Sequence, residues 1–519
     1  MGERLIFARK ASGLVKELTA FDVVVWAVSV PAIIGFLYFA PRSMYLYGDL
    51  AIYLAYIAGF LMCLPMALTI ASAVAAMPRA GGVFPIMSRV LPPSLTYLIT
   101  WIYLLDYGFI NGVVNCVAIL MFGSSLIYYG TLTANSVAIG TGRFLLSNIG
   151  IITGAVILIV IEAILTLFGM KIVKWLQRVL FIVPLIILGL MIGALYINAP
   201  YYNLLFNNIW GPGVSERIIA KATELGFTQP AFSWDKLGSA FFVALYAFGG
   251  FEVVTTVSGE VKSPRRALWI GFVAGLVCVT ILYIITAGAT ATVASLVNSY
   301  SYLYYTNRDA LSKILPNPGE PSLLFFASAA IPTWLAVLLP PFILLWIVKA
   351  TFPTFVGNSR VIFSLAMDRL FPIHFAHVNR FGSPTWAIIL QLVLSLLGLY
   401  VFTMNIGAIL ALLTWAGYIH FWLFGLGMLI FPYARKDVFE KSPIQWKIGG
   451  IPIISILGLA TFAIGFFIFC YTLREIPFEA ILMVILLALV GIIIHMYQLW
   501  RNEKEGISLS DIYAELPPA

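Results

Sequence analysis

The sequence predicts an all-α polytopic membrane protein of about twelve transmembrane helices, and three observations predict it. Hydrophobic residues make up 61% of the 519 and charged residues only 10%, whereas soluble domains carry about a quarter charged residues. Apolar runs follow one another along the chain, most of them ~20 residues long, the length that crosses a ~30 Å hydrocarbon core. The Lys and Arg between those runs crowd onto one side of the implied membrane. These features exclude a soluble enzyme, a nucleic-acid binder and a secreted disulfide scaffold.

The chain opens with a basic lead, residues 1–21, carrying Arg4, Arg9, Lys10 and Lys16 and no cleavage pattern. The first six runs lie near 22–40, 51–76, 94–127, 148–168, 175–197 and 237–257. The second six lie near 267–293, 322–357, 385–404, 407–431, 451–472 and 477–499. Their continuous apolar character predicts helices, because barrel strands are about 10 residues long and alternate in polarity. Loops 198–236 and 294–321 are the longest on the outer side, and the polar tail 500–519 is expected to be mobile. With the N-terminus cytoplasmic, 21 of the 30 Lys and Arg fall on the cytoplasmic side, eight fall outside, and Lys349 lies within a span. That bias supports an even number of spans with both termini cytoplasmic, and a plasma-membrane protein. The net charge of +8 then records topology rather than an anionic partner.

Three ionisable residues fall well inside spans: Asp106, Glu162 and Lys349. A charge at mid-membrane costs about 2.5–3.5 kcal/mol, so it faces protein or water and often marks a pathway. Lys349 stands 11 residues before Arg360, roughly 16 Å at helical rise. Its ammonium needs a dedicated partner or a watery cavity, whereas Asp106 and Glu162 could equally be polar contacts between helices. The four cysteines, Cys63, Cys116, Cys278 and Cys470, read as small buried hydrophobes. His374 and His377 share a loop with no cysteine beside them, so no metal site is expected.

Two spans carry breaks. The first contains Ser29-Val30-Pro31-Ala32-Ile33-Ile34-Gly35, where Pro31 removes a helical donor. The sixth contains Tyr246-Ala247-Phe248-Gly249-Gly250-Phe251, where paired glycines weaken the helix. Five spans separate the two breaks, so the second half of the protein is inverted relative to the first. Interrupted helices at matching positions of two inverted halves point to a transporter site near mid-membrane. Freed N–H groups there suit a carboxylate and freed carbonyls suit an ammonium. A zwitterionic amino acid presents both.

Three motifs now carry a resemblance. Span 2 ends in Met77-Pro78-Arg79-Ala80-Gly81-Gly82-Val83-Phe84. Span 6 exits through Phe248-Gly249-Gly250-Phe251-Glu252 to Gly259-Glu260-Val261-Lys262-Ser263-Pro264-Arg265-Arg266. Span 8 is followed by Asn358-Ser359-Arg360 and Ala366-Met367-Asp368-Arg369-Leu370-Phe371-Pro372. Over most of residues 16–440 the chain resembles the amino acid–polyamine–organocation (APC) transporters. The resemblance implies the LeuT-like APC fold: a five-helix repeat over 22–197, an inverted copy over 237–431, and two further helices over 451–499. It also implies a bundle of spans 1, 2, 6 and 7 that rocks against a scaffold, moving amino acids or related amines without ATP.

Two departures qualify what it implies. The family's first-helix motif is close to G-x-G, whereas this chain has one glycine and a proline there. Many proton-coupled relatives carry a lysine in span 5 that stands in for a sodium ion, where this chain has Pro184. Lys349 could reach that place from span 8, which makes a proton the favoured coupling ion over sodium; no organic cofactor is expected. The candidate substrate site is the backbone around Ser29, Pro31, Ile34, Gly35, Tyr246, Ala247 and Phe248, with Phe248 and Phe251 as gates or walls. Arg79, Glu260, Lys262 and Arg360 are candidate ion-pair residues of a cytoplasmic gate. The expected activity is that of an amino acid permease, a symporter or exchanger rather than an enzyme. A polyamine, nucleobase or other organic-cation carrier is the alternative, and a channel stands behind both.

Overall fold

In hydrocarbon the backbone must satisfy its N–H and C=O groups within helices or closed barrels, and continuous apolar runs of ~20 residues take the helical solution. In the structure, a computed structural model, the described residues are 7–9, 11–31, 40–316, 318–403, 406–473 and 478–517. Within these, the side chains at 242, 243, 246, 406–418, 472, 479, 480, 509 and 511 lie outside the description. The helices that answer to the predicted runs are α1 Ala20–Ser29, α2 Asp49–Ala76, α3 Pro93–Leu132, α4 Asn148–Leu167, α5 Met170–Asn198 and α6 Trp234–Phe248. The second half supplies α7 Pro264–Ala291, α8 Leu339–Met367, α9 Thr385–Thr403, α10 Ile406–Ala434, α11 Ile453–Thr472 and α12 Phe478–Lys504. The fold is all-α and polytopic. Among the described residues the strands amount to one short hairpin, Lys447–Ile448 with Ile451–Pro452.

Nine membrane-length apolar helices are found among the described residues. The predicted runs outside that set are 22–40, 237–257 and 407–431. The first two contain the predicted breaks, so each helix there is short, and the third includes side chains outside the description.

The helices pack as two groups. Helices α1, α2, α6 and α7 pack on one another, and α3, α4, α8 and α9 form a second set, with α5 touching α1, α7 and α8. Helix α10 packs chiefly on α11.

Several expectations need correction. The run 322–357 is three elements: a short helix Leu323–Ala330, a 3-10 helix Thr333–Leu338, then α8 beginning at Leu339. Pro332 and Pro340 punctuate the junction, and hydropathy alone cannot see that turn. Cys63 and Cys116 are buried as expected, but Cys278 and Cys470 are exposed on the outer faces of α7 and α11. An apolar residue in a membrane helix can face lipid as readily as protein, and composition does not distinguish the two. The tail, expected to be mobile, folds as a further helix α13, Leu509–Ala514, with Ile512 fully buried. Its anchor is Arg89, whose guanidinium lies 5.1 Å from the Tyr513 ring and donates to the Glu515 carbonyl at 3.3 Å.

Candidate functional site

Among the described residues a helix ends at each predicted break, and the two ends touch. Helix α1 stops at Ser29 and α6 stops at Phe248; after Gly249 and Gly250 the chain resumes as a 3-10 helix, Phe251–Glu260. Gly250 sits at φ +93°, a left-handed conformation that glycine adopts without a Cβ penalty. A Cβ on Gly250 would stand 2.3 Å from Val30 Cγ1, so the second break closes directly on the first. Gly250→Ala therefore combines a positive-φ cost of about 1–2 kcal/mol with an overpacking cost of about 1–3 kcal/mol. The expected result is a Tm lowered by several degrees together with weakened transport, read by melting the purified protein and by an uptake assay.

Tyr283 of α7 ties the two breaks together. Its hydroxyl reaches the Pro31 carbonyl at 2.8 Å and also the Ala247 carbonyl. A phenol has one proton to donate, so two helix-end carbonyls share a single donor and retain acceptor capacity. The Tyr283 ring stacks on Tyr56 at 4.9 Å and meets the edge of Phe248 at 5.2 Å. Nothing in the sequence singles out Tyr283 from other aromatics of an apolar run.

Ser29, Pro31, Ala247, Phe248 and Phe251 thus lie at or beside the junction of the breaks. Phe248 is packed against Gly59 of α2, where a Cβ would approach its ring to 2.9 Å. Phe251 stacks on Phe421 of α10 at 6.0 Å. Ile34 and Gly35 lie outside the described residues, and of Tyr246 only the backbone, within α6, is described.

Lys349 comes to the same junction from α8. It is fully buried, and its Nζ donates to the Ser29 carbonyl at 2.9 Å while standing 4.0 Å from the Trp346 ring centroid. The carbonyls of a helix's last turn lack intrahelical donors and form the negative end of its dipole, the natural place for an ammonium. Gln177 of α5 braces the arrangement, donating to Ser29 Oγ at 2.8 Å and to the Lys349 carbonyl at 2.6 Å. Spans 1, 5 and 8 therefore meet at one polar knot, and Pro184 lies two turns further along α5.

Glu162 and Asp106 lie at separate places, and Glu162 anchors a helix junction. Glu162 of α4 accepts from Thr351 Oγ1, two residues past Lys349, and from Asn111 Nδ2 at 3.2 Å, joining α3, α4 and α8. Asp106 lies beside Glu252, a carboxylate of the predicted sixth run that was not counted among the charges well inside spans. Glu252 is 2% exposed and accepts from Tyr107 Oη. Tyr107 is paired with Tyr103, which in turn stacks on His420 at 4.6 Å. The signal for Glu252 was its place directly after the Gly-Gly break, where a charged residue does not mark the end of a span.

The four gate candidates are all at the basic face, but they do not form one cluster. Glu260 and Arg360 pair at 2.9 Å with both side chains wholly buried. Lys262 stands 4.0 Å from Glu17, which Lys174 also holds at 2.8 Å. The hydrogen bond from Lys174 keeps the Glu17 carboxyl below its usual range. Arg79 departs from the expected ion pair: among the described residues it has none, and its Nε donates to the Pro517 carbonyl at 2.7 Å. The loop that carries Arg79 is held from behind, since Ser258 Oγ donates to the Arg79 carbonyl at 2.6 Å and the Gly81 amide donates to Thr256 at 2.9 Å. The N-terminal lead closes on the same place: Leu18 bridges Val261, and the Lys262 amide donates to the Leu18 carbonyl at 2.7 Å.

Comparison with known proteins agrees with this architecture. The profile of a family described as "Amino acid permease" matches residues 18–494. The chain is 21% identical to the branched-chain amino acid permease BcaP of Bacillus subtilis, over 95% of this chain and 94% of that one. It is 25% identical to the serine/threonine exchanger SteT of the same organism, over 44% of each chain. It is 22% identical to the vacuolar cationic amino acid transporter 4 of Arabidopsis thaliana, over 58% of this chain and 44% of that one. The aligned region thus spans less than half the length of the exchanger and of the plant transporter. With helices that end at Ser29 and at Phe248 and a family match from residue 18 to residue 494, the chain belongs to the amino acid permease family.

Proposed function

We propose that the chain is a secondary active transporter that carries amino acids across the plasma membrane by alternating access, coupled to protons or to exchange. Membership in the family supports the coarser part, a membrane transporter with a small-molecule amino acid substrate rather than an enzyme. The observation that carries the finer part is the contact between the two breaks. Pro31 and Ala247 offer carbonyls to one shared donor, which leaves room for the three donors of a substrate ammonium. The described walls there, Val30, Phe248, Phe251 and Tyr283, are apolar or aromatic and buried, which suits a neutral side chain.

In this reading α1, α2, α6 and α7 rock against α3, α4, α8 and α9, and the Glu260–Arg360 pair closes the cytoplasmic side. Lys349 takes the part of a coupling cation: protonated, it holds the end of α1 to α8, and deprotonated, it releases it. Asp106 and Glu162 are proposed as further polar groups of the pathway. Relatives named for serine and threonine, branched-chain and cationic amino acids point to the class and leave the side chain open. The second reading, a polyamine or other organic cation, is favoured by the single glycine of the first break, which offers fewer amides to a carboxylate.

Thermal melting of the purified protein separates the two. Neutral L-amino acids are expected to raise Tm with the logarithm of their concentration, by about 2.7 kcal/mol of stabilisation at 100 times Kd. Stabilisation by polyamines alone would favour the second reading.

A further inference from the structure

The basic face holds a cavity lined by none of the residues at the junction of the two breaks. It has a volume of about 450 Å³ and is bordered by the end of α2, the start of α7, the segment after α10 and the tail. Four of its lining side chains are cationic, Arg79, Arg265, Arg266 and Lys441, and none of the lining residues is acidic. Among the described residues no ion pair engages any of the four. Arg265, Arg266 and Lys441 are exposed.

Charges that only set topology have to lie on one side of the membrane; they do not have to converge on one cavity. Four like charges without a carboxylate between them repel, and a bound anion offsets that repulsion. The start of α7 adds to the attraction. Its 28 residues begin at Pro264 with no side chain capping the first turn, so the positive end of the helix dipole opens at this cavity. The rest of the lining indicates which anion fits. Ala76, Met77 and Leu516 supply apolar wall, and the cavity sits where membrane helices α2 and α7 reach the basic interface. Basic pockets between spans at that depth are suited to phosphate headgroups.

We propose that this cavity binds the phosphate of an anionic phospholipid headgroup from the leaflet at the basic face. The inference is independent of the transport substrate.

The test uses the purified full-length protein, with bound lipid measured by native mass spectrometry after incubation with phosphatidylglycerol or phosphatidylcholine. Wild type is expected to retain phosphatidylglycerol in preference to phosphatidylcholine. The double variant Arg265→Gln/Arg266→Gln is expected to bind it about tenfold or more weakly. Lys441→Gln, on an exposed segment, is expected to weaken it less, while a control at another exposed cation, Lys504→Gln, leaves it unchanged. Equal retention of the two lipids would overturn the proposal. So would equal loss in the control, since diffuse positive charge would then explain the preference. Inorganic pyrophosphate forms a second arm. If it binds in an Arg265- and Arg266-dependent way while phosphatidylglycerol does not, the site takes a soluble phosphate and the lipid assignment falls. If the double variant does not fold, Lys441→Gln against Lys504→Gln decides the question alone.

Discussion

Lys349→Ala is expected to abolish the acceleration of uptake by an acid-outside gradient and to slow net transport by about tenfold to a hundredfold. Ser29 closes α1, and its carbonyl accepts a hydrogen bond from Lys349 Nζ at 2.9 Å inside a fully buried junction, a bond that is charge-assisted when Lys349 is protonated. A hydrogen bond to a charged group contributes about 1.5–3 kcal/mol, which is the stated range of rate or affinity. Alanine removes the bond and the amine that would bind and release a proton there, while Gln177 still braces Ser29 and the Lys349 backbone. The fold should therefore survive and the coupling should not. Exchange of substrate for substrate needs no net proton movement and should be less affected than uptake against a gradient. Uptake that stayed proton-driven and undiminished in Lys349→Ala would sink the coupling assignment.

Glu260→Gln should lower stability by about 3–5 kcal/mol, because it leaves the Arg360 guanidinium buried without its carboxylate. The double variant Glu260→Leu/Arg360→Met, apolar and similar in volume, should recover most of that stability, since two well-packed apolar groups can replace a buried pair at little cost. It should not recover transport if the pair must part and re-form at each cycle. Melting curves and uptake measured on the same three proteins separate the two contributions. A double variant with full transport would reduce the pair to a structural contact.

The helices were legible because in a membrane the backbone leaves few alternatives: once α2, α4, α9 and α11 read as apolar runs of spanning length, their structure followed. The breaks were legible for a related reason. Proline and a glycine pair in otherwise apolar runs remove donors or helical preference, and Ser29 and Phe248 are where α1 and α6 stop. What the sequence could not disclose was which way a residue faces. Cys278 and Cys63 read alike, yet one faces outward and the other inward. Arg360 fell past the end of its predicted run, and Glu252, inside the sixth run, was not counted among the buried charges. In three dimensions each is buried, one against Glu260 and the other under Tyr107. Tyr283 and Gln177 carry the contacts that join spans 1, 5, 6 and 7, and both were hidden because a single polar atom barely alters the hydropathy of a run. The tail misled in the opposite direction. Its polar composition implied a free end, whereas Arg79 and Arg89 supply donors that hold it to the basic face.

The most direct test of the account is uptake into proteoliposomes of a panel of labelled amino acids, with amines alongside, under imposed proton or sodium gradients. The account predicts saturable uptake of at least one neutral amino acid, accelerated by an acid-outside gradient or by substrate on the far side, and indifferent to sodium. Movement of none of the panel, or uptake that strictly requires sodium, would contradict it.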